Sequence, residues 1–363
     1  MKNFSLRAGR FLTLALLFTG LGLSSCKKDE TTTVTGNWVG ATSFSTFPGV
    51  TRTGAVSFVI NNVAYVGTGL DGSNGNTTPR LNDFYAFDPS KGTQGSWTRV
   101  TPMPAAAGVR YLAAAFAAGG KGYVGTGYDD KGNYLSDMWQ FDPAGTTGTG
   151  TTATVGVWTR KSDFPLTTTG TGRRGAVAGS VGNFGYMGCG FGGNWENDMY
   201  KYDPTLDTWT STGFTGNKRV NASTFTIGNT LYMGFGTNNN TVNTQFWAYD
   251  ATAGTWSQKR SLANISTSTN TYDYSGVART QAVAFAVGSY GYVTVGNNGS
   301  NLLTCYVYDP IADTWTLKNP FLGQGRSTAV SFSIGNFGYV GLGNTGSSYF
   351  DDFWKFAPDA SQD

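Results

Sequence analysis

Histidine is absent from the sequence. That removes the His-based nucleophilic triad, His-containing zinc sites and an imidazole general base. Cysteine is scarce, at three residues, and no Cys cluster stands in for the missing ligands. Glutamate is scarcer: beyond residue 25 only Glu30 and Glu196 occur. Neither a metal nor another cofactor is expected. Charged residues make up only 13% of the chain, without the basic stripe that a nucleic-acid partner requires. Low charge does not imply disorder here, because 15% of residues are aromatic. Glycine is abundant at 52 residues but follows no period of three, so collagen is excluded.

The longest apolar run, Phe11 to Leu23, is short for a membrane span. Lys2, Arg7 and Arg10 precede it, so residues 1–25 read as a signal peptide. Leu23-Ser24-Ser25-Cys26 resembles a bacterial lipoprotein box, which implies lipidation of Cys26. Lys27-Lys28-Asp29-Glu30 resembles the charged export signal of surface lipoproteins in Bacteroidetes-type bacteria. Together these imply a lipid anchor in the outer membrane of a Gram-negative bacterium, with exposure at the cell surface in prospect. Residues 26–35 form a tether, and 36–363 form the folded domain. Three of the 25 basic residues lie in 1–25, so the remainder carries 22 charges of each sign. Cys189 and Cys305 fall at different strand positions of different repeats, so two buried free thiols are expected.

One phrase recurs six times. Its clearest form is Tyr123-Val124-Gly125-Thr126-Gly127, and the other copies start at Tyr65, Tyr186, Tyr232, Tyr292 and Tyr339. Around each copy the order is the same. An arginine opens an alternating apolar strand, and the Tyr-Val-Gly-x-Gly strand follows. A variable loop leads to an aromatic strand ending near Asp-Pro, and a last strand carries Trp. The opening arginines read as Arg52, Arg110, Arg174, Arg219, Arg279 and Arg326, with Arg80 and Arg173 outside the regular set. Repeats of roughly 50 residues indicate a propeller. Small residues suit innermost strands, and Gly-x-Gly is expected to thin the second strand for close approach between blades. The sixth unit lacks a Trp strand, whereas the chain has an extra one at Trp38. The fold class is therefore all-β: a six-bladed propeller of four-stranded blades, closed by the N-terminal Trp38 strand.

The set of opening Arg, Gly pair, Tyr/Phe-Asp-Pro and Trp resembles the kelch repeat family of β-propellers over about residues 36–357. The chain departs from that family in having Gly-x-Gly where adjacent Gly-Gly is usual.

In such a blade the second-to-third and fourth-to-first loops share one face. These loops are the variable part of this sequence, so that face is the expected ligand surface. Its loop-borne rings, Trp195, Tyr128, Tyr134, Tyr272, Tyr274 and Tyr349, are the candidate ligand-binding residues. The six arginines are expected to ring the axis on this face, mainly as structural stitches. Asp83, Asp137, Asp198 and Asp352 open third strands, while Gln245 and Thr304 take that place in blades four and five. Asp71–Asn76 and Asp129–Asn133 read as turns rather than calcium loops. The Thr/Gly run from Thr146 to Thr154 reads as a flexible excursion.

Some kelch propellers are copper radical oxidases similar to galactose oxidase, and the absence of His excludes that chemistry. The chain also resembles six-bladed kelch sialic-acid mutarotases, which implies acid–base work for which Glu196 is the one candidate; it is expected on an exposed loop. The leading expectation is a non-enzymatic envelope protein binding a glycan or an envelope protein through the loop face. The alternatives are a mutarotase- or epimerase-like carbohydrate-active enzyme, and a structural or adhesive protein. The oligomeric state is not legible in the sequence.

Overall fold

The computed structural model describes residues 35–40, 44–73 and 79–362. The expected signal peptide, Cys26 and most of the expected tether lie outside the described residues. Among the described residues the strands form six four-stranded antiparallel sheets and no α-helix. Blade one is Val56–Ile60, Val63–Gly67, Phe84–Asp88 and Ser96–Val100. Blade six is Val330–Ile334, Phe337–Gly341 and Phe353–Ala357, completed by Asn37–Val39. In that last pairing Trp38 lies opposite Phe356, so the N-terminal strand closes the ring.

The first strand of each blade lies innermost, against the first strands of its neighbours. Its burial alternates, as in Val56–Ile60, because one side packs into the blade and the other faces the axial channel. Each blade opens its first strand with Arg-x-x-Ala. The six alanines are Ala55, Ala113, Ala176, Ala222, Ala282 and Ala329, and they begin the channel wall. This register makes Arg173, not Arg174, the opening arginine of blade three. Two adjacent arginines can be separated only by counting back from Ala176.

The residue just before each alanine builds the neck of the ring. Gly54 donates its N–H to the Thr328 carbonyl, Thr328 to Gln281, Gln281 to Asn221, Asn221 to Gly175, Gly175 to Leu112, and Leu112 back to Gly54. The six bonds, 2.8–3.1 Å long, form a closed circle with one member per blade. All six residues have φ between 50° and 60°. Four of them are not glycine, so the ring is held against a local backbone preference. Hydroxyls stitch adjacent first strands below it. Thr224 and Thr226 donate to the Ala178 and Ser180 carbonyls, and Ser57 and Ser331 act likewise between blades one, six and five.

The second glycine of the Gly-x-Gly phrase meets both its own blade and the next: the Gly69 and Gly127 N–H groups donate to the Arg110 and Arg173 carbonyls of the following blades. Gly69 has φ +103°, and a Cβ there would lie 2.8 Å from the Thr53 carbonyl of its own blade. In blade two the glycine one residue before the phrase's tyrosine adds a further close contact between blades: a Cβ at Gly122 would collide with the Phe58 ring of the preceding blade. The Thr/Gly run also differs from expectation. Third and fourth strands of blade two lengthen to Met138–Thr147 and Thr154–Lys161, and the run becomes an extended hairpin. Thr147 Oγ1 donates to the Gly156 carbonyl, which helps tie the two strands together.

Candidate functional site on the loop face

The six opening arginines, Arg52, Arg110, Arg173, Arg219, Arg279 and Arg326, are 0% exposed. Their guanidinium groups point into their own blades. Arg52 holds Asp83 in a bidentate pair at 2.5 and 2.8 Å and donates to the Thr68 carbonyl. Arg110 holds Asp137 at 2.8 Å through both nitrogens, and Arg173 holds Asp198 at 2.6 and 2.9 Å. Arg326 pairs with Asp352 in the same way. Blades four and five differ. Arg219 reaches only the Asn217 and Gln245 carbonyls, and its Nη2 has no partner among the described residues. Arg279 reaches the Val295, Thr304 and Gly276 carbonyls and the Thr304 hydroxyl. Burial without a carboxylate lowers Arg219 and takes Arg279 down to about 10. None of these six side chains faces a ligand.

The residue after each arginine faces another way. It pairs with a residue at the start of the second-to-third loop: Thr53 with Leu70, Tyr111 with Tyr128, Arg174 with Phe191, Val220 with Thr237, Thr280 with Asn297, and Ser327 with Asn344. These six pairs follow one another around the loop face, and they are not alike. Blades four, five and six contribute mainly Thr, Ser and Asn, partly tied to one another. Thr53 of blade one and Thr328 of blade six both donate to Asn344 Oδ1 at 3.0 Å.

Blades one to three contribute rings and arginines. The Arg80 guanidinium lies 5.0 Å from the centroids of both Tyr111 and Tyr128. Tyr128 lies 5.2 Å from Tyr134, which lies 5.9 Å from Phe191, which lies 5.0 Å from Trp195. Arg174 sits among them, 6.0 Å from Tyr128 and 5.6 Å from Phe191. Every member of this cluster is partly exposed. Arg80 pairs with Asp130 at 2.9 Å. Arg174 has no carboxylate partner among the described residues.

The candidate rings therefore separate. Tyr128, Tyr134 and Trp195 come together in one surface. Tyr272 and Tyr274 do not: they stack on each other at 4.8 Å beside a short hairpin, and Tyr274 is only 9% exposed. Tyr349 packs against Gly72 across the junction of blades six and one. Tyr111, Phe191, Arg80 and Arg174 were not among the ring candidates. Tyr111 and Phe191 had a signal, since one residue follows the opening arginine and the other begins a variable loop.

Glu196 is buried, at 3% exposure, rather than exposed. It occupies the place held elsewhere by Leu81, Leu135, Asn243, Leu302 and Phe350, whose N–H groups bond to the second glycine of each phrase. The threonine-rich turn after blade two covers it: Thr168 Oγ1 donates to Glu196 at 3.0 Å, while Thr169 and Thr171 hold the Gly192 carbonyl. Asp129 spends its carboxylate on its own turn, bonding the Lys131 and Asn133 amides. Cys189 and Cys305 are free, buried thiols, each pushed up to about 12 by burial. The axial channel, about 690 Å³, is lined by small residues, apolar residues, Asn and hydroxyls, without an ionisable side chain. Among the described residues no group of three Cys, Asp or Glu converges as a metal site.

No protein-family model matches this chain, and neither does any curated protein. Among solved structures, one titled "Structure of YjhT" superposes over 86% of this chain and 96% of its own length, with a TM-score of 0.64 and 16% identity. At that identity the likeness establishes the six-bladed fold and nothing about the ligand.

Proposed function

We propose that the protein is a lipid-anchored envelope binding module of a Gram-negative outer membrane, and that its loop face binds a glycan. One observation carries this reading: the half-buried surface of Tyr111, Tyr128, Tyr134, Phe191 and Trp195, interleaved with Arg80 and Arg174 and bordered by Asn and Thr side chains. Flat rings offer stacking area at low entropic cost, and amides and hydroxyls match sugar hydroxyls. A protein partner would use the same surface, whose rings and arginines are the types enriched at binding hot spots. Catalysis has weaker support, because Glu196 is buried beneath a turn and bonded to a threonine.

Glycan-array screening followed by titration of the best binder tests the proposal. Trp195→Ala or Tyr128→Ala should weaken binding roughly tenfold or more, given the ~1–3 kcal/mol of a stacked ring. Tyr274→Ala should leave affinity unchanged. An array without binders, or unchanged affinity in both ring variants, would count against it.

A further inference from the structure

We infer that the groove between blades three and four, on the face opposite the ligand loops, receives an aromatic side chain of a peptide segment. The groove has a volume of about 360 Å³ and is lined by Phe184, Tyr186, Lys201, Asp203, Asn229 and Thr252, among others. Tyr186 is 0% exposed, yet its hydroxyl makes no hydrogen bond among the described residues. A buried hydroxyl without a partner costs free energy, and blade two avoids that cost. The corresponding tyrosine of blade two, Tyr123, receives an N–H from its cross-strand partner Gln140 at 2.6 Å. In blade three that partner is Lys201, whose ammonium lies 3.5 Å from the Phe184 ring centroid instead.

The molecule contains a second copy of this arrangement, and that copy is filled. Blade six repeats the trio as Phe337, Tyr339 and Lys355, with the ammonium 4.8 Å from the Phe337 ring. In the groove between blades six and one, the ring of Phe44 lies 5.9 Å from Tyr339 at 73°, 6.4 Å from Phe87 and 5.8 Å from the Lys355 ammonium. Phe87 is the register counterpart of Tyr249, which lies 5.4 Å from Tyr186. The chain between Val39, opposite Lys355, and Phe47 is longer than that between Thr210, opposite Lys201, and Phe214. The extra length delivers Phe44 to the first groove, and among the described residues no such segment reaches the second. The filled groove identifies the occupant of the open one: a ring carried on a peptide, set edge-on to a tyrosine and beside an ammonium.

The test is an amide NMR titration of the soluble protein from residue 27 with N-acetyl-tyrosinamide, N-acetyl-phenylalaninamide and N-acetyl-leucinamide. The aromatic amides should bind with a dissociation constant on the order of a millimolar and shift the Asn183, Thr205 and Thr252 resonances. The leucine analogue should shift them far less. Lys201→Met should weaken aromatic binding roughly threefold to tenfold. Thr252→Trp, at an exposed position, should fill the groove and remove binding. Resonances of blades one and six report that each variant is folded. Absence of shifts at ~10 mM probe, about ten times the expected constant, would overturn the inference. So would an equal response to leucine, or unaltered affinity in the folded Lys201→Met variant.

Discussion

An arginine buried at 0% exposure has to be answered by its surroundings, and here the answer differs between blades. In blade two Asp137 accepts from both Arg110 nitrogens and also from Trp139 Nε1 at 2.6 Å. Asp137→Asn should therefore leave a buried uncompensated guanidinium and cost about 3 kcal/mol or more, read as a fall in the thermal midpoint. The Lys121–Asp142 pair, about one-third exposed on each side, is a contrast. Asp142→Asn should cost less than ~1 kcal/mol. The hydrogen bond from Lys121 holds the Asp142 carboxyl below its ordinary value. Its small contribution is therefore present above the unfolded pKa of about 4 and is lost as pH falls through the lower folded value. The midpoints of this variant and the parent should converge once the pH has fallen below that lowered folded value, where both side chains are neutral. A difference that persists there would refute the assignment.

At the scale of a blade, the third-strand opening decides whether the arginine has a counter-charge. Gln245 occupies that place in blade four and already accepts from Trp247 Nε1 at 3.2 Å, much as Asp137 and Asp352 accept from their tryptophans. Arg219 Nη2 is left without a partner among the described residues. Gln245→Asp should supply the missing acceptor and raise stability by roughly 1.5–3 kcal/mol, the range of hydrogen bonds to charged groups. Loss of the Gln245 bond to the Asn217 amide works in the opposite direction. A lower unfolding midpoint in urea would show that this loss prevails.

At the scale of the whole molecule, stability depends on a closed circuit. The six-membered ring of backbone bonds and the Trp38 strand each join the last blade to the first. Trp38 is 2% exposed, 4.5 Å from Phe356 and 5.0 Å from Phe321 by ring centroid. Trp38→Ala should cost about 3–5 kcal/mol, as for other buried aromatic truncations, and should loosen blade six first. Hydrogen exchange provides the check. Amides of Phe353–Ala357 should lose protection ahead of those in blade three, whereas uniform loss would argue against local opening of the closure.

The blade count, strand order and closing strand were legible in the sequence because each rests on short-range chemistry repeated six times. Tyr-Val-Gly-x-Gly, Asp-Pro and Trp recur in register, and repetition turns weak local preferences into a firm architecture. The same repetition contained the distinction between Arg173 and Arg174, through Arg-x-x-Ala, but only when the alanine is counted. What the sequence could not decide is which irregular residues meet. Arg80 of one blade lies over Tyr111 and Tyr128 of the next, Glu196 disappears under a threonine turn, and Tyr274 turns inward. The occupied groove at Phe44 and its open counterpart at Tyr186 are likewise visible only in three dimensions. These contacts join loops of different blades, whose relative placement is fixed by packing and ring closure rather than by any local pattern along the chain.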